Sequence, residues 1–213
     1  MSIKDNVKKL WQEINSISSD KDKKIKLIAV TKKASINEIN EVIDAGVDII
    51  AENRVQNAAE KFSRIKNVEK HMIGHLQRNK VKPAVELFDV IQSVDSLRLA
   101  KEINKRAGDA GKLMKVMLQV NVSDEEQKFG LREDEVKSVY SEVLGMVNLK
   151  VIGIMVMAPF IEAEEARPFF TRAKKIKNEL NLPELSAGMS NDYRVAIEEG
   201  STMIRLGRKI FGS

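Results

Sequence analysis

Eight short apolar runs, each followed by a segment of helical character, recur along the chain between Lys26 and Leu206. Unbroken apolar strands are those covered on both faces. Strands that alternate with helices form right-handed βαβ units, and eight of these can close on themselves. The expected architecture is therefore α/β, a single (β/α)8 TIM-type barrel with an additional N-terminal helix. The rival, an open doubly wound sheet, carries a glycine-rich fingerprint after its first strand. Here Leu27-Ile28-Ala29-Val30-Thr31 runs into Lys32-Lys33 instead. At 213 residues the chain falls below the roughly 250 typical of such barrels, so its loops must be brief. One domain is expected over 1–213, with the N-terminal helix in 1–18, the barrel in 25–213 and no linker between them.

Val7, Leu10, Trp11, Ile14 and Ile17 recur at three and four residues, the period of an amphipathic helix. Strands are expected at Lys26–Thr31, Asp48–Glu52, His71–His75, Val90–Val94, Lys115–Val122, Lys150–Met157, Leu185–Ala187 and Thr202–Leu206. Helices are expected at Ile36–Ala45, capped by Ser35 and stopped by Gly46, and at Val55–Ile65 and Lys80–Leu87, with Pro83 in the first turn of the latter. Further helices follow at Leu97–Arg106, Glu133–Val147, Glu162–Leu180 and Asp192–Glu199, and only Arg208–Ser213 remains after the last strand. The N-terminal helix is expected to cover the place where an eighth barrel helix would sit.

A net charge of +5 could point to nucleic acid, but Lys and Arg are interleaved with Asp and Glu, as on solvated helix faces. No specific nucleic-acid binding is expected. The densest basic run, Lys21 to Lys26, reads as a surface turn. There is no cysteine, so disulfides and thiol nucleophiles are excluded. The first residues lack the apolar core of a signal peptide, and no run approaches the roughly 18 apolar residues of a membrane span. A cytoplasmic location without membrane attachment is the expectation.

In barrels of this kind sites form at the carboxyl ends of the strands. Lys32 lies there, expected near the rim and partly sheltered, where desolvation favours a nucleophilic amine that can condense with an aldehyde. Position alone leaves a second reading open, a surface lysine closing a strand. Lys33 is expected to point elsewhere, because successive strand residues face opposite ways. At the far end, Gly188-Met189-Ser190-Asn191-Asp192 leads into a helix and Arg205-Leu206-Gly207-Arg208 follows the last strand. Loops after strands seven and eight often hold phosphate, through glycine-exposed amides and helix N-termini. A lone Gly-x-Ser is also common in ordinary turns. Together with Lys32 it suits an aldehyde bearing a phosphate. Asn53 can offer its amide to the same pocket or cap a helix. His71 and His75 would share one strand face, but no third ligand at a metal-site spacing accompanies them, so no metal is expected.

Seven ordered segments carry a resemblance: Leu27 to Lys32, Ala51-Glu52-Asn53-Arg54-Val55-Gln56, His71 to Lys80, Gln119 to Ser123, Lys128-Phe129-Gly130, Leu185 to Ser190 and Ile204 to Gly212. As a set they resemble the pyridoxal phosphate homeostasis protein family, relatives of the alanine racemase N-terminal barrel. The resemblance implies pyridoxal 5′-phosphate (PLP) as cofactor, held as a Schiff base on Lys32. It places the phosphate on Ser190 and the backbone around Gly207 and Arg208, Arg205 at the pyridine nitrogen and Asn53 beside the cofactor. An arginine at that nitrogen discourages its protonation and weakens the ring as an electron sink. Family members commonly have threonine where Arg208 stands, so a guanidinium replaces a hydroxyl there. Asn79 and Lys128 match the family without an assigned role.

The racemase relatives add a β-rich domain with a catalytic tyrosine. This chain ends after the barrel, and neither Tyr140 nor Tyr193 matches that tyrosine's segment. The resemblance therefore implies a PLP-binding protein of intracellular PLP homeostasis without catalytic turnover, a monomer whose partners include PLP-dependent apo-enzymes. The alternatives are a PLP-dependent amino-acid racemase of low activity and a phosphate-binding barrel enzyme that uses no cofactor.

Overall fold

The structure, a computed structural model, describes residues 2–17, 24–123, 125 and 127–212. Residues 21–23 of the basic run expected as a surface turn lie outside the described residues, and Lys26 opens the first strand.

Eight parallel strands close in sequence order, β1 (Lys26–Val30), β2 (Ile49–Glu52), β3 (Glu69–Met72), β4 (Val90–Val94), β5 (Met114–Val120), β6 (Leu149–Val156), β7 (Glu184–Ser186) and β8 (Met203–Leu206), with β8 pairing back onto β1. Around them lie α1 (Ile3–Ile17), α2 (Ile36–Asp44), α3 (Val55–Lys61), α4 (Val81–Leu87), α5 (Leu97–Asp109), α6 (Glu133–Leu144), α7 (Arg167–Glu179), α8 (Tyr193–Glu198) and α9 (Arg208–Phe211). The apolar runs divide by parity, as pleated strands require. Ile28, Ile49, Val90, Met117, Met155 and Met203 pack inside the barrel, whereas Leu27, Ala29, Ile50, Ile91, Leu118 and Ile204 meet the helices.

Local chemistry explains the element ends. Ser35 and Glu38 close a capping box on α2, and Gly46, at φ 89°, ends it. Ser96 accepts the Leu99 amide at the start of α5. β3 ends at Met72, three residues earlier than its apolar pattern suggests. A Cβ on Gly74 would lie 2.2 Å from the Asn53 carbonyl oxygen, so the chain passes too close to the β2 end to continue as a strand. The helix expected from Glu162 begins at Arg167 after a 3-10 turn, with Pro168 in its first turn, where a missing N–H costs nothing. The helix expected over Val55–Ile65 ends at Lys61 and passes into a 3-10 turn over Phe62–Arg64.

α1 buries Val7, Leu10 and Ile14 and lies against α2, α8 and α9. Asn6 Nδ2 donates to the Ile210 carbonyl at 2.9 Å, and Glu13 accepts from the Tyr193 hydroxyl and, at 3.0 Å, pairs with Arg194. α1 does take the place of a full eighth helix. The short stretch left after Leu206 supplies the four-residue α9 that α1 covers. No helix among the described residues is long and apolar enough to cross a membrane.

Candidate functional site

A cavity of about 460 Å³ opens at the carboxyl ends of the strands, within the range usual for small-molecule sites. Lys32, Asn53, Ser190, Arg205, Gly207 and Arg208 all line it, so residues spread over most of the sequence meet at one place.

Lys32 sits in the turn that follows β1. It is exposed rather than partly sheltered, and Lys33 lines the same cavity instead of pointing away. The expected alternation fails because the strand ends at Val30, and turn residues do not follow a two-residue period. Buried groups anchor that turn from behind. Thr31 donates its hydroxyl to Glu52 Oε1 at 2.9 Å, and Lys61 Nζ reaches the same oxygen at 3.0 Å and the Thr31 carbonyl at 2.9 Å. Glu52 is fully buried, so the ammonium of Lys61 compensates its charge where water cannot.

Across the cavity stands Arg205, 4% exposed on β8. Its Nη1 donates to Ser186 Oγ at 2.7 Å and its Nη2 to the Val156 carbonyl at 2.8 Å. Burial lowers its pKa to about 10, opposed by the nearby charge of Asp192, so the side chain remains a cation at neutral pH. Asp192 is itself buried, which raises its pKa, and its Oδ1 accepts the Met189 amide at 2.6 Å, folding the loop that carries Ser190. That loop leaves β7 through Gly188 at φ 93°, where a Cβ would lie 2.7 Å from Ala196 Cβ. Arg208 Nη2 donates to Asn191 Oδ1 at 3.0 Å, tying the loop after β7 to the start of α9. The first amides of α9 have no intrahelical acceptor.

Several lining residues escaped the sequence reading. Gln119 lines the wall, and its Nε2 donates to the Phe129 carbonyl at 2.9 Å. Phe129 stacks on His75 with centroids 3.8 Å apart, and His75 Nδ1 lies 2.8 Å from Asp95 Oδ2. His75 is thus in a loop and His71 is buried on β3, so the two do not share a strand face. The available signal was a polar residue inside an apolar run, as Gln119 is in Met114–Val120 and Glu52 is at the end of Ile49–Ala51. Among the described residues no group of three or more carboxylates or imidazoles could hold a metal ion. Lys128 pairs with Glu125 at 2.6 Å.

The model of the alanine racemase N-terminal domain matches residues 3–213. A pyridoxal phosphate homeostasis protein of Aquifex aeolicus is 38% identical over 88% of this chain and 86% of its own length, and one of Escherichia coli K12 is 34% identical over 89% and 86%. This chain belongs to the pyridoxal phosphate homeostasis protein family. The solved structure of the family's PipY from Synechococcus elongatus, with PLP bound, superposes with a TM-score of 0.88 at 32% identity, covering 99% of this chain and all of that one. An alanine racemase of Clostridium difficile shares the fold alone, at 16% identity and a TM-score of 0.77, and this chain spans 55% of it. This chain and that racemase therefore share a barrel fold.

Proposed function

We propose that this homeostasis-family protein binds PLP covalently through Lys32 and keeps it available to other proteins, without catalytic turnover of its own. The observation that carries the reading is the donor set of the cavity. An accessible amine, a buried guanidinium, a hydroxyl and a loop pair tied by Arg208 surround one space, and this set fits a phosphorylated aromatic aldehyde. PLP, when bound, supplies an aldehyde for an amine and an electron-withdrawing ring. The chain's own residues do the rest. Lys32 provides the amine, held in place by Thr31, Glu52 and Lys61. Ser190, the amides around Gly207 and Arg208, and the Arg208 guanidinium receive the phosphate. Arg205 presents a fixed cation to the ring nitrogen and keeps a proton off it. Asn53 borders the ring.

A holding role agrees with the rest of the wall. Tyr193 turns away beneath α1 to Glu13, and Tyr140 lies on α6, so neither tyrosine reaches the cavity as an acid or base. The cavity is open at its mouth, which suits exchange with PLP-dependent apo-enzymes as recipients. The reading places a monomeric carrier in the cytoplasm.

The test is the near-ultraviolet and visible spectrum of the purified protein with PLP, followed by borohydride reduction and mass mapping of the modified lysine. A new band and a pyridoxyl adduct on Lys32 are expected, with Lys32→Ala losing both and Lys33→Ala keeping both. No band and no adduct, or equal loss in the two variants, would overturn the assignment.

A further inference from the structure

We propose that Arg205 is held from below by a one-way file of hydrogen bonds through the barrel interior, from Arg205 to Ser186, Gln92, His71 and Glu69, which makes Glu69 and His71 positioning residues for a site at the opposite end of the barrel. The inference rests on the cavity being the PLP site and adds remote residues to it.

The direction of every link follows from donor and acceptor chemistry. A guanidinium has no acceptor, so Ser186 Oγ accepts from Arg205 Nη1 at 2.7 Å. The Ser186 hydrogen then goes to Gln92 Oε1, also at 2.7 Å. That contact orients the amide, and Gln92 Nε2 faces His71 Nδ1 at 2.6 Å, with Met203 Sδ 4.0 Å away as a second, weak acceptor. A donor pressed against Nδ1 requires that nitrogen to be bare. Neutral His71 therefore carries its proton on Nε2, which lies 3.1 Å from Glu69 Oε1 and donates to it.

Ser186, Gln92 and His71 are fully buried, and Glu69 reaches solvent at the amino end of β3. Burial pushes the His71 pKa down against the opposing pull of Glu69 and Asp89, while Lys26 adds to the lowering. The His71 hydrogen bond holds the Glu69 carboxyl below its ordinary range. Lys115 Nζ lies 3.9 Å from Glu69 Oε1. The file thus has neutral links between a cation at the site and a carboxylate at the far rim. Met117, Met155 and Met203 show that apolar side chains fill this interior readily. A fully satisfied polar chain in the same space fixes geometry that such packing would leave free.

The test has two arms on the full chain. Without cofactor, long-range proton–nitrogen correlation spectra of the ¹⁵N-labelled protein at neutral pH should show His71 protonated at Nε2 and bare at Nδ1. PLP affinity is then read by absorbance titration for Glu69→Ala and Glu69→Gln, changes at a partly exposed rim position away from the cavity. Glu69→Ala should leave the His71 Nε2–H without its acceptor, shifting the Nε2 resonance, and weaken PLP binding about three- to tenfold, the equivalent of one hydrogen bond, with the reduced adduct still on Lys32. Glu69→Gln keeps an acceptor and should restore both signals. An Nδ1-protonated His71, or wild-type PLP affinity in Glu69→Ala, would overturn the proposal. If the wild-type chain takes up no PLP, the site reading itself fails and the positioning role falls with it, even where the tautomer is as expected.

Discussion

His71 shows how burial, rather than residue type, decides what a side chain does. The sequence offers two histidines four positions apart, and the structure separates them into a buried imidazole and an exposed ring stacked on Phe129. For His71, desolvation dominates and the folded-state pKa lies below the ordinary 6.5. The unfolded chain then binds the proton more readily than the folded one, so stability is lost as pH falls through and below that ordinary value. Between about pH 7 and 5.5 the wild type should lose stability from this group, by at most about 1 kcal/mol, the limit reached when the folded imidazole takes up no proton. His71→Gln, which keeps a polar side chain in the file, should lose most of that slope. Urea denaturation at the two pH values measures it, and an unchanged slope in the variant would assign the effect elsewhere. Glu69 contributes with the same sign, but only below its own ordinary pKa of 4.5, outside this window.

At the scale of elements, the turn after β1 depends on its neighbour. Thr31, Glu52 and Lys61 join the end of β1 to the end of β2 and to α3. Removing the ammonium leaves a fully buried carboxylate without its counter-ion, so Lys61→Met should destabilise the fold by about 3 kcal/mol in chemical denaturation. It should also weaken PLP binding at Lys32, whose turn it secures. A cost under about 0.5 kcal/mol, the range of ordinary surface changes, would show that the trio is incidental. The eight strands, the cap at Ser35 and the stop at Gly46 were legible in the sequence because periodicity and capping are local. The end of β3 was not, since a close approach between Gly74 and Asn53 is invisible in a run as apolar as Met72-Ile73. The six expected site residues proved to be neighbours because each follows or ends a strand, and barrel closure brings strand ends together. The polar file was illegible, because Gln92 and Ser186 lie far apart in the chain on strands that do not pair, and only closure of the barrel brings them face to face across its interior.

Across the whole molecule the two ends of the barrel differ. At the amino-terminal end, Lys26 pairs with Glu184, Thr202 donates to Glu184 Oε2 at 2.6 Å, and Glu69 lies near Lys115, contacts that close the barrel floor. At the carboxyl-terminal end, the cavity is walled by loops, and of the eight exposed large apolar side chains among the described residues Phe129, Met157, Phe160, Ile161 and Met189 lie on its wall. Apolar groups left in water around an open cavity contribute little to stability, so this end is the one a ligand should tighten. A ligand at a hundredfold excess over its dissociation constant stabilises the folded state by about 2.7 kcal/mol. Because the amine, the anion loops and Arg205 belong to β1, β7, β8 and the turns beyond them, that stabilisation should be distributed unevenly. Hydrogen exchange with and without PLP should show added protection at 31–35, 187–192 and 206–209, with the amino-terminal ends of the strands changed little. The polar file sharpens the expectation, since it connects the two ends along β3, β4, β7 and β8 alone. Protection extending down those strands to His71, and absent from β5 and β6, is the pattern that such a connection produces. Protection spread evenly over all eight strands would instead mean that PLP stabilises the barrel as a single unit and that the file carries no special share of the coupling.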